Sequence, residues 1–184
     1  LDIKNNAVQG VILDGGERLA AGAVVLACGH SARDTYAMLA RRGVGIVAKP
    51  FAIGVRIEHP QELIDKAQYG SFAGHHLLGA ADYALVYHTQ DKTRTAYSFC
   101  MCPGGFVVPA STAPGELVLN GMSLAGRGAP FANAGLVAEV RPDDVAERDP
   151  LALLRFQASV ERDMFRAGDG TTQRAPAQRL LLVN

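Results

Sequence analysis

The sequence predicts an α+β fold, mainly antiparallel sheet with helices. Three observations predict it. Short β-prone runs are joined by turn signals such as Asp14-Gly15-Gly16, Gln90-Asp91-Lys92 and Pro114-Gly115, which make hairpins rather than βαβ crossovers. Helical periodicity is confined to a few separate stretches. Hydrophobic residues make up 48% of the 184, enough for a core.

Taken in order, Val8 to Leu13 and Arg18 to Cys28 read as strands around Asp14-Gly15-Gly16. The run Ala23-Val24-Val25-Leu26-Ala27 is continuously apolar, like a strand buried on both faces. It ends at Cys28-Gly29-His30. Ser31 then caps a helix from Ala32 to Arg42, with Gly43 at C′ and an inward face of Tyr36, Leu39 and Ala40. Phe51 to Ile57 is a strand that Glu58-His59-Pro60 ends. Pro60 suits the first position of a helix over Gln61 to Gln68. A Gly-rich loop carrying His75 and His76 follows.

Tyr83 to His88 and Thr93 to Met101 form a strand pair. Phe106 to Ala110 and Glu116 to Met122 form another. Gly126 to Gly135 reads as a polar loop, Leu136 to Val140 as a short strand, and Pro142 to Val145 as a helical turn. A last helix spans Pro150 to Arg166, with Leu151, Leu154, Val160 and Phe165 on its apolar side and Gly168 as its stop. Beyond it lies an apolar run, Leu180-Leu181-Leu182-Val183.

Composition excludes several function classes. Acidic and basic residues balance at 18 each, and the basic ones are scattered, so no strong nucleic-acid signal exists. No run approaches the roughly 20 apolar residues that span a bilayer. The opening Leu1-Asp2-Ile3-Lys4-Asn5-Asn6 has none of the features of a secretory leader and looks like a start in mid-protein. The three cysteines, an odd number, are expected to be free thiols in a reducing, cytoplasmic compartment.

The chemistry concentrates in Tyr97-Ser98-Phe99-Cys100-Met101-Cys102-Pro103-Gly104-Gly105-Phe106. A β-prone run breaks at Pro-Gly-Gly, where the missing side chains let a ligand or another backbone approach. Cys100 and Cys102 admit three readings: thiols lining a site, a redox or metal pair, or inert core residues. A disulfide between them would close a very tight ring, unfavourable in an extended strand. Cys-x-Cys supplies only two of the roughly four ligands a metal needs, so no metal is expected.

Four blocks, in order, resemble one family. They are Ala27-Cys28-Gly29-His30-Ser31-Ala32-Arg33-Asp34, Lys49 to Pro60, Tyr97 to Gly105, and Asn120-Gly121-Met122-Ser123. The resemblance is to uncharacterised bacterial FAD-dependent dehydrogenases, NAD(P)/FAD-dependent oxidoreductases of the glutathione-reductase-like group with a domain inserted over the flavin. It implies that 1–48 is part of an FAD-binding domain, 49–170 the inserted substrate-side domain, and 171–184 a return segment. Cys28 stands where the family commonly has Thr or Ser. The Gly-x-Gly-x-x-Gly pyrophosphate turn and the closing Gly-rich helix start that the family implies are not in this sequence. The chain is therefore expected to be the middle of the enzyme and to bind FAD weakly or not at all alone.

On that resemblance, Gly29, His30, Pro103, Gly104 and Gly105 are candidates to meet FAD. Cys100, Cys102, Asn120, Ser123, Arg127 and Asn133 are candidates for the substrate side. NAD(P)H is a candidate electron donor. The expected partners are a small-molecule substrate and the remainder of the FAD domain; no general base can be assigned. The residues also allow plainer readings. His30 could be a loop histidine bonded to backbone, Arg33 could pair with Asp34, and Arg56 with Glu58 two residues along its strand. His59 reads as structural. The alternative function is a non-catalytic binding or interaction module.

Overall fold

The computed structural model describes residues 1–180. In chain order its elements are β1 (Asp2–Lys4), β2 (Ala7–Ile12), β3 (Arg18–Ala20), α1 (Arg33–Arg41), β4 (Phe51–Pro60), α2 (Gln61–Tyr69), β5 (Val86–His88), β6 (Thr95–Cys102), β7 (Gly105–Ala110), β8 (Val118–Ser123), β9 (Phe131–Val140) and α3 (Ala152–Ala167). Single 3₁₀ turns lie at Gly70–Phe72 and Pro142–Asp144. Every ladder is antiparallel, in sheets ordered β1-β2-β3, β4-β9-β6-β5 and β7-β8. The fold is α+β, as the turn signals predict.

The four-stranded sheet is the frame. β4 and β9 pair without a break from Phe51↔Val140 to Pro60↔Phe131. Close backbone contact is built in: a side chain on Gly54 would overlap the Leu136 carbonyl. β6 pairs with β9 in register until Phe99↔Gly135, then resumes at Cys102↔Asn133, so β6 carries one extra residue. Cys100 sits in this bulge at φ +47, a left-handed conformation that costs a non-glycine residue about 1–2 kcal/mol. The β7–β8 ribbon leaves the sheet at that corner.

Several sequence expectations need correction. The strand expected to run to Cys28 ends at Ala20, and residues 21–32 carry no ladder. Val25 there is 90% exposed rather than buried on both faces. An apolar run becomes a strand only where a neighbour takes its backbone hydrogen bonds, and among the described residues none does. Ser31 does not cap α1 with its side chain; Ala32 is the N-cap, and Ser31 gives its carbonyl to the Arg33 N–H at 2.8 Å. The other end behaves as expected. Gly43, at φ +72, donates to Ala40 and Val44 donates to Leu39, closing a Schellman turn. No residue of α1 is fully buried, however; of the expected inward face Leu39 and Ala40 are half-buried and Tyr36 is exposed.

β4 runs through Pro60, which is the N-cap of α2 and not its first residue. β5 begins at Val86 rather than Tyr83, β6 at Thr95 and β8 at Val118. β9 begins at Phe131, so Asn133 and Gly135 stand in the central strand and not in a loop. In α3 the buried residues are Ala152, Leu153, Ala158 and Glu161, whereas Leu151, Leu154, Val160 and Phe165 are half-buried. Leu181 to Val183 lie outside the described residues.

Much apolar surface stays in water. The chain exposes 12905 Å², where a compact protein of this size exposes about 8500 Å². One face of the four-stranded sheet presents Val55 opposite Leu136, with Tyr87 on the same side, all exposed. No described helix is long and apolar enough to cross a membrane.

Candidate functional site

Three polar networks are fixed by this frame. The first surrounds Arg56 in the middle of β4. Its Nε donates to Asn133 Oδ1 at 2.6 Å, and its Nη2 donates to the Cys100 carbonyl at 2.6 Å and to the Cys102 thiol at 3.3 Å. The Cys102 thiol in turn donates to the Cys100 carbonyl at 3.5 Å. The guanidinium lies against Gly121, where any side chain would overlap it. Asn133 is wholly buried, and its Nδ2 has no hydrogen-bond partner among the described residues. The expected Arg56–Glu58 pair does not form: Glu58 is exposed, and Arg56 is engaged across the sheet instead. Burial pushes the Cys102 thiol above its ordinary range, with the Arg56 charge opposing.

The second network holds the Pro103-Gly104-Gly105 corner, whose residues are all buried. Gly104, at φ +47, donates its N–H to Gln61 Oε1 at 2.7 Å. The Ser123 hydroxyl donates to the Pro103 carbonyl at 2.8 Å, and Ala129 N–H to the Gly104 carbonyl at 3.3 Å. A Cβ on Gly104 would overlap the Arg127 carbonyl. The close approach these glycines permit is therefore to another backbone. Gln61 completes the corner by donating to Asp65 Oδ1 and to the Ala81 carbonyl. Sequence reading missed Gln61; its only signal was its place directly after Pro60.

The third network ties α1 to α3. Arg33 donates to Glu116 Oε2 at 2.5 Å and to Glu161 Oε2 at 2.6 Å, both carboxylates being buried. Gln157 and Arg162 complete it. Burial pulls the Arg33 guanidinium down, but Glu161 and Glu116 outweigh it, so its pKa stands above the ordinary value. The local Arg33–Asp34 pair is replaced by this longer-range one.

Beside the second network opens a cleft of about 650 Å³, lined among others by Gln61, Asp65, His75, His76, Arg127 and Phe131. Arg127 is exposed at φ +45, and the His75 and His76 rings stack at 4.6 Å. Sequence reading treated both histidines as loop surface, and nothing in their spacing pointed to a cleft.

The structure thus brings together Cys100, Cys102 and Asn133 around Arg56, and Ser123 and Arg127 around the Pro103-Gly104-Gly105 corner. Of the substrate-side candidates, Cys100, Asn120 and Arg127 are exposed, while Cys102 and Asn133 are buried. Asn120 stands on the face of β8 away from Arg56, since Gly121 takes the near face. Gly29 and His30 stand apart, in the turn before α1. No hydrogen bond or ion pair among the described residues joins them to the corner. Gly29 is at φ +77 with open space around it, and His30 is exposed. Among the described residues no group of three or more His, Cys, Asp or Glu is placed to hold a metal.

Two comparisons bear on this arrangement. Residues 50–182 match the family described as "FAD-dependent protein, C-terminal domain-like". An uncharacterized protein of Clostridium beijerinckii is 47% identical over 175 residues, covering 95% of this chain. The chain spans 32% of the length of that relative.

Proposed function

The chain belongs to the FAD-dependent protein, C-terminal domain-like family, and from that membership we propose that it supplies the substrate-side domain of an FAD-dependent oxidoreductase. The activity belongs to the whole protein, of which this chain is the part that covers the flavin. The observation that carries the reading is the match over 50–182, whose start supports a boundary near residue 49 between an FAD-domain edge and the inserted domain.

FAD, when bound, supplies the redox chemistry; the protein positions the substrate and excludes water. The residues fit the cofactor's phosphate at Gly29-His30. The open turn at Gly29 leads into a helix start, which favours an anion. Arg33 is taken by its two glutamates and holds that turn in place rather than meeting the phosphate itself. On the substrate side, Cys100, Asn120 and Arg127 are the exposed groups, and Arg127 offers a cation to an anionic substrate at the mouth of the cleft. Cys102, Ser123, Asn133 and the Pro103-Gly104-Gly105 turn hold that surface in shape. NAD(P)H is the proposed electron donor, and the three free thiols are in keeping with a reducing cytoplasm.

The large exposed surface supports a further part of the reading, that the remainder of the FAD domain covers the bare apolar run at Ala23 to Cys28. The test is the absorbance spectrum of the whole protein, alongside an FAD titration of residues 1–184 alone. Flavin bands in the whole protein, with weak or absent binding by the segment, are expected. A whole protein that takes up no flavin from excess FAD overturns the proposal.

A further inference from the structure

We propose that Cys100 and Cys102 form a redox couple that exchanges with small-molecule disulfides, Cys100 attacking and Cys102 resolving. The inference stands on the geometry of the bulge and does not depend on flavin binding.

Both thiols are free, one exposed and one buried. The bulge carries the Cys102 sulfur over residue 100, where it meets the Cys100 carbonyl at 3.5 Å. Solvent access therefore selects Cys100 as the first nucleophile, and Cys102, whose thiol interacts with that of Cys100 by hydrogen bond and by charge, is the second. Arg56 Nη2 lies 3.3 Å from the Cys102 sulfur, so a cation faces the thiolate that must form there. Burial pushes the Cys102 thiol up and keeps it protonated at rest, with Arg56 opposing.

The steps balance as an ordinary exchange. The Cys100 thiolate attacks one sulfur of the external disulfide; that S–S bond breaks and one thiolate leaves, taking up a proton. The Cys102 thiolate then attacks the Cys100 sulfur of the mixed disulfide, and the second thiolate leaves. The protein loses two electrons and two protons, and the external disulfide becomes two thiols. A ring closed over a single intervening residue is strained, which places the product among the easily reduced, labile disulfides rather than the structural ones.

The experiment treats the whole protein with oxidised glutathione, alkylates remaining thiols and reads the tryptic peptide Thr95–Arg127, which holds both cysteines and not Cys28. The expected peptide carries neither glutathione nor alkyl groups, is lighter than the dithiol by two hydrogens, and reverts with dithiothreitol. Cys102→Ser is expected to trap glutathione on Cys100. Cys100→Ser is expected to leave Cys102 unmodified until the protein is denatured. A wild-type peptide that keeps glutathione on Cys100 beside an alkylated Cys102, or that is alkylated at both, overturns the proposal.

Discussion

Arg56 and Asn133 are diagonal, not direct, neighbours: Arg56 faces Gly135 and Asn133 faces Glu58, yet Arg56 Nε reaches Asn133 Oδ1 at 2.6 Å. The absence of a side chain at Gly121 leaves the guanidinium room to lie across the strands. Gly121→Ala is expected to displace it, at a cost of about 1–3 kcal/mol. In an Arg56→Ala background the same change should cost much less, giving a coupling above about 1 kcal/mol in a double-mutant cycle. Urea midpoints of the four proteins measure it; additive losses would show that the contact is not energetically real.

The α1–α3 tie is the second target. Arg33→Met leaves Glu161 buried without its cation and Glu116 with only Arg162, and breaking such a group costs about 3–5 kcal/mol. Glu161→Gln in the same background should recover part of the loss, because it removes one of the stranded charges. A thermal melt in which Arg33→Met matches wild type sinks the assignment.

Gly104 and Gly29 separate clash from strain. Both have positive φ, but only Gly104 has a backbone carbonyl where Cβ would go. Gly29→Ala should cost about 1 kcal/mol, and Gly104→Ala clearly more, at least ~2 kcal/mol. Equal shifts in melting temperature would show that Gly104 is not packed as described.

Stability should also depend on pH through His59. Its ring lies 5.5 Å from that of Tyr83, and its Nε2 is buried without a partner among the described residues. Burial lowers its pKa from the ordinary 6.5, with the Glu58 charge opposing. A base whose pKa falls on folding is protonated first in the unfolded chain. Its contribution is therefore whole above pH 6.5, is lost as pH falls below 6.5, and levels off beneath the folded value. Urea midpoints across that window should fall more for wild type than for His59→Gln; parallel curves would count against the argument.

The sequence made β4, β6, β7, α2 and α3 legible because each has periodicity and a clear stop. It made β9 only half legible. Ala132, Asn133, Ala134 and Gly135 look like loop residues by composition, but they are small because the sheet is crowded there; the first three are almost wholly buried. The β1–β2 hairpin escaped notice although Asn5 and Asn6, both at positive φ, make its two-residue turn. At Ala23 to Ala27 the error ran the other way, since hydrophobicity reports an appetite for burial and not a partner. The candidate site was legible as a stretch but not as contacts. Arg56, Gln61 and Glu116 find partners far along the chain, which no local pattern encodes.

The extra residue in β6 acts as a phase shift. In an unbroken strand Met101 would fall opposite Asn133, and Cys102 would turn to the other side of the sheet. With the shift, Cys102 comes opposite Asn133 and onto the side of Arg56. The chain also arrives at Pro103 in the orientation that lets Gly104 meet Gln61. Pairing β6 with β9 without the bulge would put everything from Met101 to the corner out of step, exchanging the inner and outer sides of the strand, whereas deleting Cys100 removes the extra residue and keeps Cys102 opposite Asn133.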